Sequence, residues 1–180
     1  MRQCGSCNLC CKLLPVQPLD KKAGERCKYL KFQKGCTVYH RAEMPMDCWV
    51  WNCRWLVNND TADLRRPDHA HYVIDIMPDY ITLQANGSTQ EIQVAQVWID
   101  PKYPNAHRDP ALRSWMFRRA EEGIATLVRF NWKDCLTIFA PPFDVNGEWH
   151  EIRGGRSDAE HSLTDIMAAL GGSARMVIEG

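Results

Sequence analysis

The chain has 180 residues, 22 Lys and Arg against 22 Asp and Glu, 45% apolar residues and nine cysteines. That length buries the core of one domain with a small satellite and is too short for several full domains. A formal charge of zero excludes a global basic field for nucleic acid and an acidic tail, so any charged partner must be met by a local patch.

Taken in chain order, the first stretch runs from Cys4 to about Leu56 and holds eight of the nine cysteines. Pro15, Pro18, Gly24, Gly35 and Pro45 break any long element within it. The cysteines begin where a secretory leader would have its apolar run, and no segment approaches the ~18 apolar residues of a membrane span. We therefore expect a cytoplasmic protein without a membrane partner. In that compartment thiols stay reduced, and a cysteine pattern binds metal or does redox chemistry rather than forming a disulfide scaffold. The adjacent pair Cys10-Cys11 argues the same way, because neighbouring thiols strain a mutual bridge and crowd separate ones.

Residues 1–57 thus read as a cysteine-rich metal-binding module and 58–68, with Asn58-Asn59-Asp60-Thr61 and Arg66-Pro67-Asp68, as a turn-rich connector. Residues 69–180 read as an α+β scaffold packed with the module as one unit. In that block Tyr72–Met77 and Ile81–Ala85 alternate in the strand period about Pro78-Asp79 and are expected to pair antiparallel. Asn86-Gly87 is a hairpin signal leading into a strand over Ile92–Ile99. Asp109 and Pro110 start a helix as N-cap and first-turn proline, with Leu112, Trp115, Met116 and Ala120 as its buried stripe and Gly123 as its stop. Strands are expected near 125–130, 136–140 and 148–152, then a helix capped by Ser157 and Glu160 with Leu163, Ile166, Met167 and Leu170 on one face. Hairpin-length links and two interspersed helices predict an α+β fold, an antiparallel sheet with helices on one face.

The chemistry sits in Cys4-x2-Cys7-x2-Cys10-Cys11, followed by Cys27, Cys36, Cys48 and Cys53. Thiolates two residues apart converge on one metal because the turn between them aims both sulfurs and nearby N–H groups inward. A tetrahedral zinc site takes four ligands and a cubane iron–sulfur cluster also takes four cysteines, so eight match two closed sites. Cys10 and Cys11 should serve different centres, since neighbouring side chains diverge by about 100° on a helix. In a helix Cys4, Cys7 and Cys11 would share a face; in a loop Cys4, Cys7 and Cys10 would share a cluster. The sequence leaves that partition open.

This arrangement resembles the YkgJ-like cysteine-cluster family named for its CxxCxxCC motif, over roughly the first third of the chain. The resemblance implies chelation of zinc or iron, with Cys4, Cys7, Cys10 and Cys11 as the clustered ligands and Cys27, Cys36, Cys48 and Cys53 as the dispersed ones. A related motif in flagellin lysine methylases implies iron–sulfur chemistry as one use; no methylase cofactor site can be matched here.

Charge agrees with this. Met1–Asp60 carries ten Lys or Arg against five acids, and eight thiolates with two divalent ions would bring that surplus near +1. Trp49, Trp51 and Trp55 fit an apolar shell around metal better than a base-stacking platform. His40 is a spare ligand that eight cysteines make unnecessary. Cys135 reads as a buried small residue, and the other histidines have no metal-site spacing. Asp75, Asp79, Asp100 and Asp109 fall at strand ends and a helix cap, and Gly154-Gly155-Arg156 reads as a turn. No P-loop, GxSxG or GxGxxG signature is present. The expectation is a metal-binding protein with no catalytic residue assigned, either a module built on two zinc ions that meets a protein partner or an iron–sulfur redox or accessory protein. A nucleic-acid module using the Lys21–Lys34 stripe is the third reading, and it would need binding that weakens steeply with salt.

Overall fold

A computed structural model describes residues 2–31, 34–85, 88–131, 133–155 and 161–162. In the cysteine-rich stretch every element is short, as its prolines and glycines require: α1 (Leu9–Leu13), β1 (Leu30–Lys31) paired antiparallel with β2 (Gly35–Cys36), α2 (Met46–Val50) and α3 (Arg54–Val57). Gly35 is a position where glycine is required. Its φ is +73°, and a Cβ there would stand 3.0 Å from the Gly5 carbonyl oxygen. The β1–β2 ribbon thereby lies directly on the Cys4–Cys7 turn.

After α4 (Pro67–Ala70) come β3 (Tyr72–Ile74), β4 (Asp79–Ala85), β5 (Ser88–Ile99), α5 (Pro110–Ala120), β6 (Ala125–Arg129), β7 (Asp134–Phe139), β8 (His150–Gly155) and β9 (His161–Ser162). The strands form one sheet in the order β8-β7-β6-β5-β4-β9, with β3 also paired to β5. The fold is α+β, but the sheet is mixed. β5 and β6 run parallel, with Val97 opposite Val128, because the α5 crossover returns the chain to the same end. β9 is also parallel to β4.

The expected pairing of 72–77 with 81–85 does not form. β3 and β4 instead lie end to end along one edge of β5, with Ile74 opposite Val97 and Asp79 opposite Val94. Asp75 explains this. Its amide donates to Gln96 O and its carboxylate accepts from Met77 N, so the chain passes Pro78 without reversing. Ala85 faces Ser88 across the hairpin, whose Asn86-Gly87 turn lies outside the described residues. Gly154 and Gly155, expected in a turn, are strand residues opposite Cys135 and Asp134. The helix expected from Ser157 lies almost wholly outside the described residues, and His161–Ser162 within it is strand.

Alternation along the strands separates two buried faces. Tyr72, Ile74, Val97, Ile99, Val128, Leu136 and Ile138 meet Leu112, Trp115 and Met116 of α5. Asp109 caps α5 by accepting from Ala111 N at 2.9 Å, and Gly123 follows it at φ +76°. On the opposite face, Val73 and Trp98 pack against Leu9, Leu13, Leu14 and Cys53. Farther along that face Val94, Leu127, Cys135 and Phe139 form a separate cluster. The cysteine-rich stretch therefore covers one end of the face that α5 leaves bare.

The connector is part of this packing. Leu64 belongs to the α5-side core, Thr61 is fully buried, and Asp60 takes Arg54 at 3.0 Å, Arg119 at 3.3 Å and the Trp115 Nε1 at 3.2 Å. Trp115→Ala should cost about 3–5 kcal/mol, since it removes a fully buried ring and the Asp60 bond together. Urea denaturation measures it.

Candidate metal centre

α1 sets the geometry of the cysteines. Leu9 and Leu13 are spaced i, i+4, and both turn onto Val73 and Trp98. With that stripe fixed, Cys10 is carried onto the flank of the helix and Cys11 onto the side away from the sheet. Lys12, on the other flank, reaches Asp100 at 2.6 Å and fixes the helix to the end of β5. Before α1 the chain is a turn closed by Cys7 N donating to Cys4 O at 2.9 Å.

Cys4, Cys7, Cys10 and Cys53 line one small cavity of about 10 Å³, partly open to solvent, with Trp55, Leu56, Pro67 and Val73 as its apolar walls. Cys53 arrives from the other end of the cysteine-rich stretch and is held by a β-bridge to Asp75, whose carboxylate also accepts from Trp51 Nε1 at 2.6 Å. Backbone amides point at the sulfurs: Leu9 and Asp68 N–H at Cys7, Trp55 and Leu56 N–H at Cys53. Such amides stabilise a thiolate, and hydrogen bonds to sulfur also tune an iron–sulfur centre.

The other four cysteines are linked outside this cavity. Cys27 N donates to Cys11 O at 3.1 Å, Leu30 N to Cys27 O at 3.0 Å, and Leu30 pairs with Cys36 across β1–β2. Val38 and Tyr39 N–H point at the Cys36 sulfur. From there the Tyr39, His40 and Trp49 rings meet in sequence, tilted and then edge-on with centroids 4.0 and 5.4 Å apart, and join the Cys36 loop to α2, which carries Cys48.

Six of these thiols, Cys4, Cys7, Cys10, Cys36, Cys48 and Cys53, resist ionisation. Burial, with repulsion from neighbouring sulfurs, pushes Cys4 and Cys48 up to about 11 and Cys53 up to about 12, and burial also raises Cys7 and Cys36. Cys10 and Cys11 are in side-chain contact. Cys10 donates, which raises its own pKa, and Cys11 accepts and is lowered to about 7, with help from the Lys21 ammonium. A metal cation is the species that relieves this repulsion, because it neutralises several thiolates at once.

The donor set fits a thiophilic metal. A single zinc ion, with Zn–S of about 2.3 Å, draws its four sulfurs to about 3.8 Å from one another. Among the described residues no three cysteine sulfurs lie within 4.8 Å of one another, so a lone ion would require them to close in, whereas a cluster of several irons and sulfides spans wider ligands.

Other sequence expectations divide. Trp51 and Trp55 are half-buried, with their Nε1 groups donating to Asp75 and Leu64 O, whereas Trp49 is 43% exposed and walls nothing on its outer side. His40 stands in the aromatic row beside Cys36 and Cys48. Cys135 is buried on the sheet in a different cluster from the other eight and donates to Gly154 O. One convergence escaped the sequence: Asp144, Glu148 and His150 bring ligand atoms within 4.8 Å. The Asp144 carboxylate is already engaged there by Asn146 N, Glu148 N and the His150 ring, which hold it below the usual carboxylate range and account for the loop by themselves. No family model, curated protein or solved structure matches the chain.

The thiol shifts predict opposite pH responses. In metal-free, reduced protein the raised thiols hold their protons in the folded state while unfolded thiols ionise near about 8.5, so stability should fall as pH rises from there toward 11. In metal-loaded protein the ligands must be deprotonated, and stability should rise with pH through the acid and neutral range. Urea midpoints against pH, with and without zinc, measure both slopes.

Proposed function

We propose that this is a metal-binding protein with two neighbouring thiolate-ligated centres built from Cys4, Cys7, Cys10, Cys11, Cys27, Cys36, Cys48 and Cys53. The observation that carries the reading is the cavity onto which four cysteines from both ends of the cysteine-rich stretch converge, with amides aimed at two of their sulfurs. The resemblance to the CxxCxxCC cysteine-cluster family supports it from the sequence side. Metal of this kind supplies folding energy to a segment with little regular secondary structure, with apparent binding energies of order 10–16 kcal/mol for structural zinc. Four thiolates leave a zinc or iron no open position for substrate, so the role is a non-catalytic binding or interaction module. Among the described residues no helix is long and apolar enough to cross a membrane, and reduced thiols suit the cytoplasm.

The wide spacing of the sulfurs supports a second reading, an iron–sulfur redox or enzyme-accessory protein. When bound, the cluster would supply one-electron transfer. The chain's own part would be to shield it with Trp55, Leu56, Pro67 and Val73 and to donate amides to its sulfurs.

Anaerobic purification with elemental analysis and a visible spectrum tests both readings. Colourless protein with two zinc ions per chain is the outcome for the first, and brown protein with iron and sulfide for the second. Metal-free protein that stays folded and binds neither when reconstituted would defeat both. Cys53→Ser should lower the metal content in either case, and Cys135→Ser should leave it unchanged.

A further inference from the structure

We propose that Cys4, Cys7, Cys10 and Cys53 hold one metal centre and Cys11, Cys27, Cys36 and Cys48 the other, with the buried Lys21 as the charge-balancing cation of the second. This rests on the metal-binding reading above and adds which ligands belong together, which centre opens first and what compensates its charge.

The division follows from the phase of α1. Because Leu9 and Leu13 are pinned to Val73 and Trp98, Cys10 faces the sheet-backed cavity and Cys11 faces away from it. The first set shares that cavity. The second is strung together by the Cys27–Cys11 and Leu30–Cys27 backbone bonds, the Leu30–Cys36 register and the Tyr39-His40-Trp49 row that brings Cys48 alongside. The two sets touch where Cys10 and Cys11 meet.

Lys21 supplies an independent observation. Its side chain is 7% exposed, and its ammonium donates to two carbonyl oxygens, Leu14 O and Lys22 O. A buried ammonium requires negative charge nearby. Burial lowers its pKa, and the Cys27 and Cys11 sulfurs, ahead of Glu25, are the negative groups that oppose this. Four thiolates around one divalent ion carry a charge of −2, and Lys21 offsets half of that at the second set. At the first set the corresponding cation is Arg66, which lies over the Cys4–Cys7 turn, bonds Ser6 Oγ at 3.3 Å and pairs with Asp68. The surroundings differ as well. The first set is backed by Val73 and Pro67, both buried, while the second is flanked by Tyr39 and Trp49, each more than 40% exposed. The second centre is therefore the one that gives up metal first.

Wild-type protein loaded with two equivalents of zinc, stripped stepwise with EDTA, alkylated with iodoacetamide at each step and mapped by mass spectrometry tests the assignment. Labels should appear in two blocks of four, Cys11, Cys27, Cys36 and Cys48 before Cys4, Cys7, Cys10 and Cys53. Blocks that mix the sets would overturn the partition while leaving the metal-binding reading intact. No zinc uptake, with all eight thiols reacting together before chelator is added, would overturn both. Lys21→Met should make the second block react at EDTA concentrations about 10–100-fold lower, with the first block unmoved, and Lys21→Arg should restore it. An unmoved second block in Lys21→Met would overturn the role of Lys21.

Discussion

The cysteine-rich stretch depends on a small contact, that of Leu9, Leu13 and Leu14 with Val73 and Trp98 on the sheet face opposite α5. Among the described residues of 1–57 no helix is longer than five residues and the β1–β2 ribbon has two residues a strand, so little regular backbone structure holds them. Burying each leucine contributes about 1.5–3 kcal/mol, and that must offset the ordering of a long irregular chain. Polar ties hold it to the sheet through Lys12 on Asp100, Trp51 on Asp75 and Cys53 bridged to Asp75, and to the connector through Arg2 on Thr61, Arg54 on Asp60 and Trp55 on Leu64 O. In the proposed reading metal would share with the sheet the work of holding this region, and the same leucines that dock α1 decide where its cysteines point.

That docking carries an electrostatic cost. It packs sulfur beside sulfur in partly apolar surroundings, where an ionised thiol has lost water and faces other thiols. Neutral thiols make such a site tolerable without metal, and amides at Cys7, Cys36 and Cys53, together with Lys21 and Arg66, prepare it for the charged state. A site that is poor for thiolates alone and good for thiolates around a cation is what a metal-gathering segment requires. The general basic surplus of the first sixty residues contributes little to this. Arg54 pairs with Asp60, and Lys22, Arg26, Lys28, Lys31 and Lys34 are exposed.

How much was legible beforehand varied with how local each signal was. α5 was readable in full, because Asp109, Pro110, the Leu112-Trp115-Met116 stripe and Gly123 lie within one short segment. The parallel β5–β6 pair was missed although that helix between two strands is the usual sign of a crossover. The end-to-end placement of β3 and β4 was not readable, since it depends on Asp75 bonding across to Gln96 rather than on any turn residue. Among the cysteines, the eight candidates stand out by their clustering in the first third of the chain, whereas the grouping proposed above requires knowing that the helix begins at Leu9 and not at Cys4. Trp49, Trp51 and Trp55 look alike in sequence, and only the positions of Asp75 and Leu64 O distinguish the two anchored rings from the exposed one. The Asp144-Glu148-His150 convergence had no sequence signal beyond a polar loop.

In either proposed reading sulfur alone, from cysteine or from cluster sulfide, surrounds the metal. X-ray absorption at the zinc or iron edge of protein purified without added metal measures this directly. The expected result is a first shell of sulfur only, four per metal, at about 2.3 Å. A shell containing nitrogen or oxygen would contradict it and would move attention to His40 or to the Asp144-Glu148-His150 loop.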